Sequence, residues 1–518
     1  MSEHYDVAVI GMQPAGLVAA GILARAGRRV VLVDHGEQGQ TYQHRGWRLP
    51  LAPAVLPERL EGPQVKRVHE VLGLTQELRT RAVSLTPAFQ LITPRHRVDI
   101  AAEREAQLAE LAREFPAQVE VTRRFFVDLD VLDSEAGTLL GRRLPLVSRG
   151  AWSRICSRLM TGRERLLGAA FQERASVAAL DEQDLLRTLL LGPLAFVGHL
   201  DDRAPSTLHA ARLLAPLFHG VMEVRDDPGG LTALLLTAAE RAGVEVRRQT
   251  IVRELSTRGR RLTTLILEGG AAPVTADYFL GNAAEPLAEL LSARSRPRAF
   301  LLEEQRAQPT GSLFVVNIVA KQEVIPRGMA KIAFVVNGRR SGREGDPADD
   351  LLLVRRYNAV RVGSGGELTT SPEHVVLCAA TPVRTAEVAH TPTRVARLRT
   401  QVLEQLERVV PFLEQLTVDV SVVSDTASWD VDSNGGARRV DPWRLHPRFE
   451  GVTPPRLGVG IRPLRTYFKN LVHCGRDVLP GLGLEGEYAT GWSAAQLLGK
   501  LAGKAWTATG ITIADDRS

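Results

Sequence analysis

Gly11-Met-Gln-Pro-Ala-Gly16, followed by Asp34, are the first residues whose types and spacing imply a chemical task. That task is holding phosphate and ribose rather than breaking a bond. A glycine loop that opens a helix leaves the first N–H groups free at the positive end of the helix dipole, where an anion finds donors. A carboxylate closing the next strand is where the ribose hydroxyls of a dinucleotide would be held. Against the pattern G-x-G-x-x-G the loop has one departure. Gln13 puts a side chain where the middle glycine would let the backbone approach a pyrophosphate. Pro14 cannot donate but is shaped for a first helical turn, and Ala15 leads into Gly16.

The elements that would position this loop read directly from the pattern. Asp6 to Ile10 is a short apolar run suited to a strand buried on both faces, and Leu17 to Ala26 has helical spacing and stops at Gly27. Arg29 to Val33 is a second buried strand, which completes a βαβ unit. The same pattern also suits a βαβ unit that binds no nucleotide. Elsewhere reactive side chains are sparse. Cys156, Cys378 and Cys474 lie far apart without metal-ligand spacing, so no metal site is expected. His209, His219 and His446 stand alone, and no catalytic side chain is assigned.

Two further segments carry motifs. The middle one reads as a helix from Leu231 to Ala242 closed by Gly243, strands at Val244 to Val246 and Ile251 to Leu255, and a hairpin ending at Gly281-Asn-Ala283. Near the C-terminus, Asn470 to Cys474 reads as a strand, the stretch from Gly475 to Gly483 as irregular, and Gly491 to Leu498 as a helix. The string "DDPGGLTALLLTAAERAGVEVRRQTIVREL…ADYFLGNAAEPLAELL" resembles the phytoene desaturase branch of the FAD-dependent amine oxidase superfamily. "NLVHCGRDVLPGLGLEGEYATGWSAAQLL" is similar to the last FAD motif of that family.

The resemblance implies an α/β fold, with a Rossmann-like FAD-binding domain interleaved with an α+β substrate domain on a mixed or antiparallel sheet. Residues 1–60, 225–290 and 466–518 would form the first domain, and 61–224 with 291–465 the second. It implies that the Val252 backbone meets adenine, that Asp477 after Gly475 bonds the ribityl chain, and that Gly486 and Glu487 lie where backbone N–H groups approach the flavin. Glu487 replaces a small residue of the family, so its side chain is expected to point away or to take a shifted role. A stretch from Gly39 to Pro53 resembles the family's "GGRxxT" region but carries Gln40 and Thr41 in place of glycine and arginine, which weakens contacts to phosphate.

The implied activity is flavin-dependent hydride exchange on a lipophilic substrate, such as a polyene or isoprenoid, at a CH–CH unit, in the manner of a desaturase, saturase or isomerase. One alternative is a non-catalytic protein like the Rab GDP dissociation inhibitors, with lost or weakened FAD binding. A second is amine oxidation. Strand-like runs Ser312 to Ala320, Lys331 to Val336, Leu351 to Arg355 and His374 to Ala379 would form the substrate sheet, roofed by helices from 176 to 218 and from 382 to 415.

Composition limits the partners. With 65 Lys+Arg against 59 Asp+Glu, the net charge is +6 over 518 residues and the arginines are scattered, so no nucleic-acid partner is expected. Few cysteines, an N-terminus unlike a signal peptide, and the absence of a run of roughly eighteen apolar residues fit a cytoplasmic protein. Ala151 to Ala175 interleaves apolar residues with arginines, suiting either a core-covering helix or contact with the inner face of a membrane. Oligomeric state is not legible.

Overall fold

Val7 to Ile10 are buried without interruption because β1 (Glu3–Ile10) is paired in parallel along both edges and each face meets a core, Val7 and Val9 in one and Ala8 and Ile10 in the other. The computed structural model describes residues 3–35, 41–60, 62–141, 185–201, 207–225, 230–248, 250–283, 286–292, 296–337, 351–384, 392–422, 446–451, 458–502, 507–508 and 511–512. The arginine-rich segment 151–175 lies outside them. β1 pairs with β2 (Val30–Val33) on one side and Val274–Gly281 on the other. Glu245–Arg247 flanks β2, and Leu471–His473 adds in parallel to the end of Val274–Gly281. An antiparallel ribbon, Arg261–Leu267 with Val252–Arg258, completes a seven-stranded sheet. Its strands come from three distant stretches of chain, each supplying one element that the others must cover.

α1 (Pro14–Arg25) is buried along nearly its whole length, so it packs through small residues. Its end is fixed by Gly27 at φ +75°, with the Gly27 N–H on Ala24 and the Arg28 N–H on Leu23. The C-terminal helix Gly483–Leu501 crosses α1 so closely that a β-carbon at Gly491 would lie 2.5 Å from the Ala15 carbonyl oxygen. This helix begins at Gly483, earlier than the spacing of its alanines indicates. Gly486 is helical, and a β-carbon there would stand 2.4 Å from the Leu479 carbonyl oxygen, so this glycine serves close packing rather than a loop.

The second sheet has ten strands. Ala307–Lys321, Leu368–Arg384, Leu351–Val362 and Ile332–Val336 run antiparallel in that order, while Ile332–Val336 and Phe89–Ile92 are parallel, so the sheet is mixed. Leu398, Val402 and Leu406 of the helix Pro392–Glu407 pack on Val316, Ile318 and Leu377. Helices Val119–Gly141 and Thr207–Phe218 cover Phe89 and Phe334. The remaining apolar surface, which includes Leu313, Val315, Val376 and Cys378, meets Tyr42, Trp47 and Leu49 of the hairpin Thr41–Pro50. The fold is α/β, with one sheet parallel at its centre and one largely antiparallel. Among the described residues no helix is long and apolar enough to cross a membrane, and no cluster of three potential metal ligands occurs.

Candidate functional site

The parallel strands β1, β2, Val274–Gly281 and Leu471–His473 end together, and the sequence-expected residues gather at those ends. Gly11 takes φ +99°, and a β-carbon on it would lie 2.6 Å from the Asn282 backbone, so only glycine fits between β1 and the neighbouring strand. Gln13 is the N-cap of α1 without a capping bond from its side chain. Gly16 donates its N–H to Asn282 Oδ1 at 3.0 Å, and Asn282 Nδ2 donates to the Cys474 carbonyl at 2.9 Å. Among the described residues nothing accepts the Ala15 N–H. A β-carbon on Gly475 would lie 3.1 Å from Asn282 Nδ2, 3.6 Å from Asp477 Oδ1 and 3.9 Å from Gln13 Oε1. The N-terminal loop and the C-terminal loop thus meet on one asparagine.

Asp477 is held by a buried network. Arg462 donates to Asp477 with one branch and to Glu304 Oε1 at 2.6 Å with the other, and His473 Nε2 lies 3.0 Å from that same oxygen. Burial alone would raise the Glu304 carboxyl, but Arg462 and His473 outweigh it and hold the group well below the carboxylate range. Burial opposes the charge on Arg462 as well, and Asp477 and Glu304 overcome it.

Glu487 is 2 % exposed and turns to Arg476, whose Nε donates to its Oε1 at 3.1 Å. His199 Nε2 lies 3.5 Å away. Burial favours the neutral acid, yet Arg476 and His199 lower its pKa and keep it ionised. Burial holds His199 neutral against the pull of Glu487. The extra carboxylate is therefore neutralised by a neighbour of Gly475. Gly486 faces the Leu479–Leu482 turn one residue before it.

Asp34 and Val252 lie at the other end of the site. Asp34 is fully buried, and its Oδ1 accepts the Thr250 N–H at 3.0 Å. The Val252 N–H goes to His35 Nδ1 at 3.1 Å. Sequence reasoning missed Asn282, Arg462, Arg476 and His35. Asn282 stood in a recognised string, but nothing in its local pattern signalled its partners.

No family model matches the chain, and no curated protein matches it. Solved structures do. Putrescine oxidase in its wild-type form bound to putrescine is 15% identical, with a TM-score of 0.54, covering 97% of this chain and 100% of its own. Cyclohexylamine oxidase from Brevibacterium oxydans IH-35A is 14% identical, with a TM-score of 0.52 and coverage of 96% and 100%. An oxidoreductase from Methanosarcina mazei is 14% identical, with a TM-score of 0.52 and coverage of 94% and 99%. From end to end, the chain has the fold of these oxidoreductases.

Proposed function

We propose that the chain is a flavin-dependent oxidoreductase that holds FAD across the ends of its parallel strands. The observation that carries this reading is the convergence of Gly11, Gly16 and Gly475 on Asn282, with the Ala15 N–H unpaired beside them. The residues fit the cofactor. The start of α1 suits a pyrophosphate, Gly475 brings no side chain, and Asp477 is already oriented by Arg462 to accept from a ribityl hydroxyl. Asp34 suits the ribose and the start of Val252–Arg258 suits adenine. The first turn of the C-terminal helix, around Gly486, would present its N-terminal dipole to the ring. Bound FAD would supply hydride acceptance, and the chain would supply position and electrostatics.

The substrate reading is a lipophilic compound oxidised or rearranged at a CH–CH unit. It is supported by the resemblance of the middle and C-terminal motifs to the phytoene desaturase branch of the superfamily. A second reading, oxidation of an amine, is supported by the likeness of fold to putrescine oxidase and cyclohexylamine oxidase. Anaerobic mixing of the flavin-loaded protein with a detergent-solubilised polyene, and separately with cyclohexylamine, tests the choice. Loss of the flavin absorbance with the polyene alone supports the first reading. Loss with the amine alone replaces it with the second.

A further inference from the structure

Two successive residues after β2 close off the start of the strand Val252–Arg258. Asp34 Oδ1 takes the Thr250 N–H at 3.0 Å, and His35 Nδ1 takes the Val252 N–H at 3.1 Å. Residues two apart on an extended chain aim their N–H groups to the same side, so both donors face the end of β2. That is the place where the adenosine half of a dinucleotide lies against a sheet of this kind. His35 adopts φ +53° to make its contact, in the left-handed region that a side chain disfavours, and it is 3 % exposed. Because Val252 donates, the bonded Nδ1 carries no proton. It is an in-plane ring nitrogen accepting a peptide N–H, the same kind of acceptor that an adenine ring offers.

We infer that His35 competes with the adenine of FAD for the Val252 N–H and sets the affinity for the cofactor. This rests on the FAD reading above. To bind, the nucleotide must displace the imidazole from Val252, so the adenine contact replaces an existing hydrogen bond instead of adding one. Freed of that competition, the contact should tighten binding roughly tenfold.

The test is a titration of the purified, flavin-stripped full chain with FAD, followed by quenching of flavin fluorescence, for the wild type, His35→Gly and His35→Asn. Thermal melts confirm that all three are folded. Glycine accepts the positive φ and offers no acceptor, so His35→Gly should bind about tenfold more tightly. Asparagine tolerates the same backbone, and its Oδ1 can take the place of Nδ1, so His35→Asn should bind as the wild type does. Equal affinity of His35→Gly and wild type would overturn the inference and leave the FAD reading intact. Equal gains in both variants would also overturn it, because bulk and not the hydrogen bond would then be the obstacle. No binding by any of the three folded proteins would defeat the FAD reading and this inference with it.

Discussion

Asn282 accepts from Gly16 at 3.0 Å and donates to Cys474 at 2.9 Å, so one buried side chain ties the start of α1 to the last strand of the sheet. Asn282→Ala would leave a buried N–H and a buried carbonyl without partners, at a cost of roughly 2–5 kcal/mol. Urea denaturation should show a lower midpoint with an unchanged slope, and the protein should retain less FAD. An unchanged midpoint would mean that the two loops are held together elsewhere.

Arg462 joins Asp477 to Glu304, and this link makes a pH-dependent contribution. The folded state holds Glu304 below its ordinary value of 4.5. Its contribution is therefore present above that value and lost as pH falls through the depressed folded one. Arg462→Met would leave Asp477 without its cation and Glu304 with His473 alone, destabilising the protein by roughly 3–5 kcal/mol at neutral pH. Midpoints measured across the acid range should show the variant losing less stability than the wild type below about pH 4.5, because its Glu304 keeps only His473 to depress its pKa.

His209 gives a separate signal at higher pH. Burial, with Arg448 and His199 adding to it, lowers its pKa from 6.5 to about 4. The unfolded chain therefore binds a proton that the folded one refuses, and stability falls as pH drops from 6.5 toward 4. The contribution is of order 3 kcal/mol at full effect. His209→Asn should flatten the stability curve in that window, and an equally steep curve would show that other groups cause the slope.

Gln13 occupies the middle position of the phosphate loop and makes no capping bond of its own. Gln13→Gly should bind FAD more tightly, but modestly, because the start of α1 and Asp34 already supply part of the site. Calorimetric titration measures the difference. Weaker binding by the glycine variant would indicate that the glutamine amide itself donates to the cofactor.

Much of this was legible where the determinants are local. The strand–loop–helix–strand order from Glu3 to Asp34 follows from apolar runs, Pro14 and Gly27, all within one stretch. The antiparallel runs of the second sheet follow from β-branched segments such as Ser312 to Ala320. The start of the C-terminal helix is not legible because the glycines from Gly475 to Gly483 read as irregular, whereas Gly483 and Gly486 are glycine for close contact with Val197 and Leu479. Asn282, His35 and Arg462 could not be read at all. Their partners lie 266, 217 and 158 residues away, and no periodicity records such pairs.

The most direct measurement is the absorption spectrum of the purified protein, with the FAD released on denaturation quantified against protein concentration. A flavin spectrum and near-equimolar FAD are expected, either as isolated or after reconstitution, with Asp34→Ala and Asp477→Ala each reducing the content while remaining folded. A colourless, cooperatively folding protein that takes up no FAD on reconstitution would contradict the FAD reading, and would favour a non-catalytic binding protein built on the same fold.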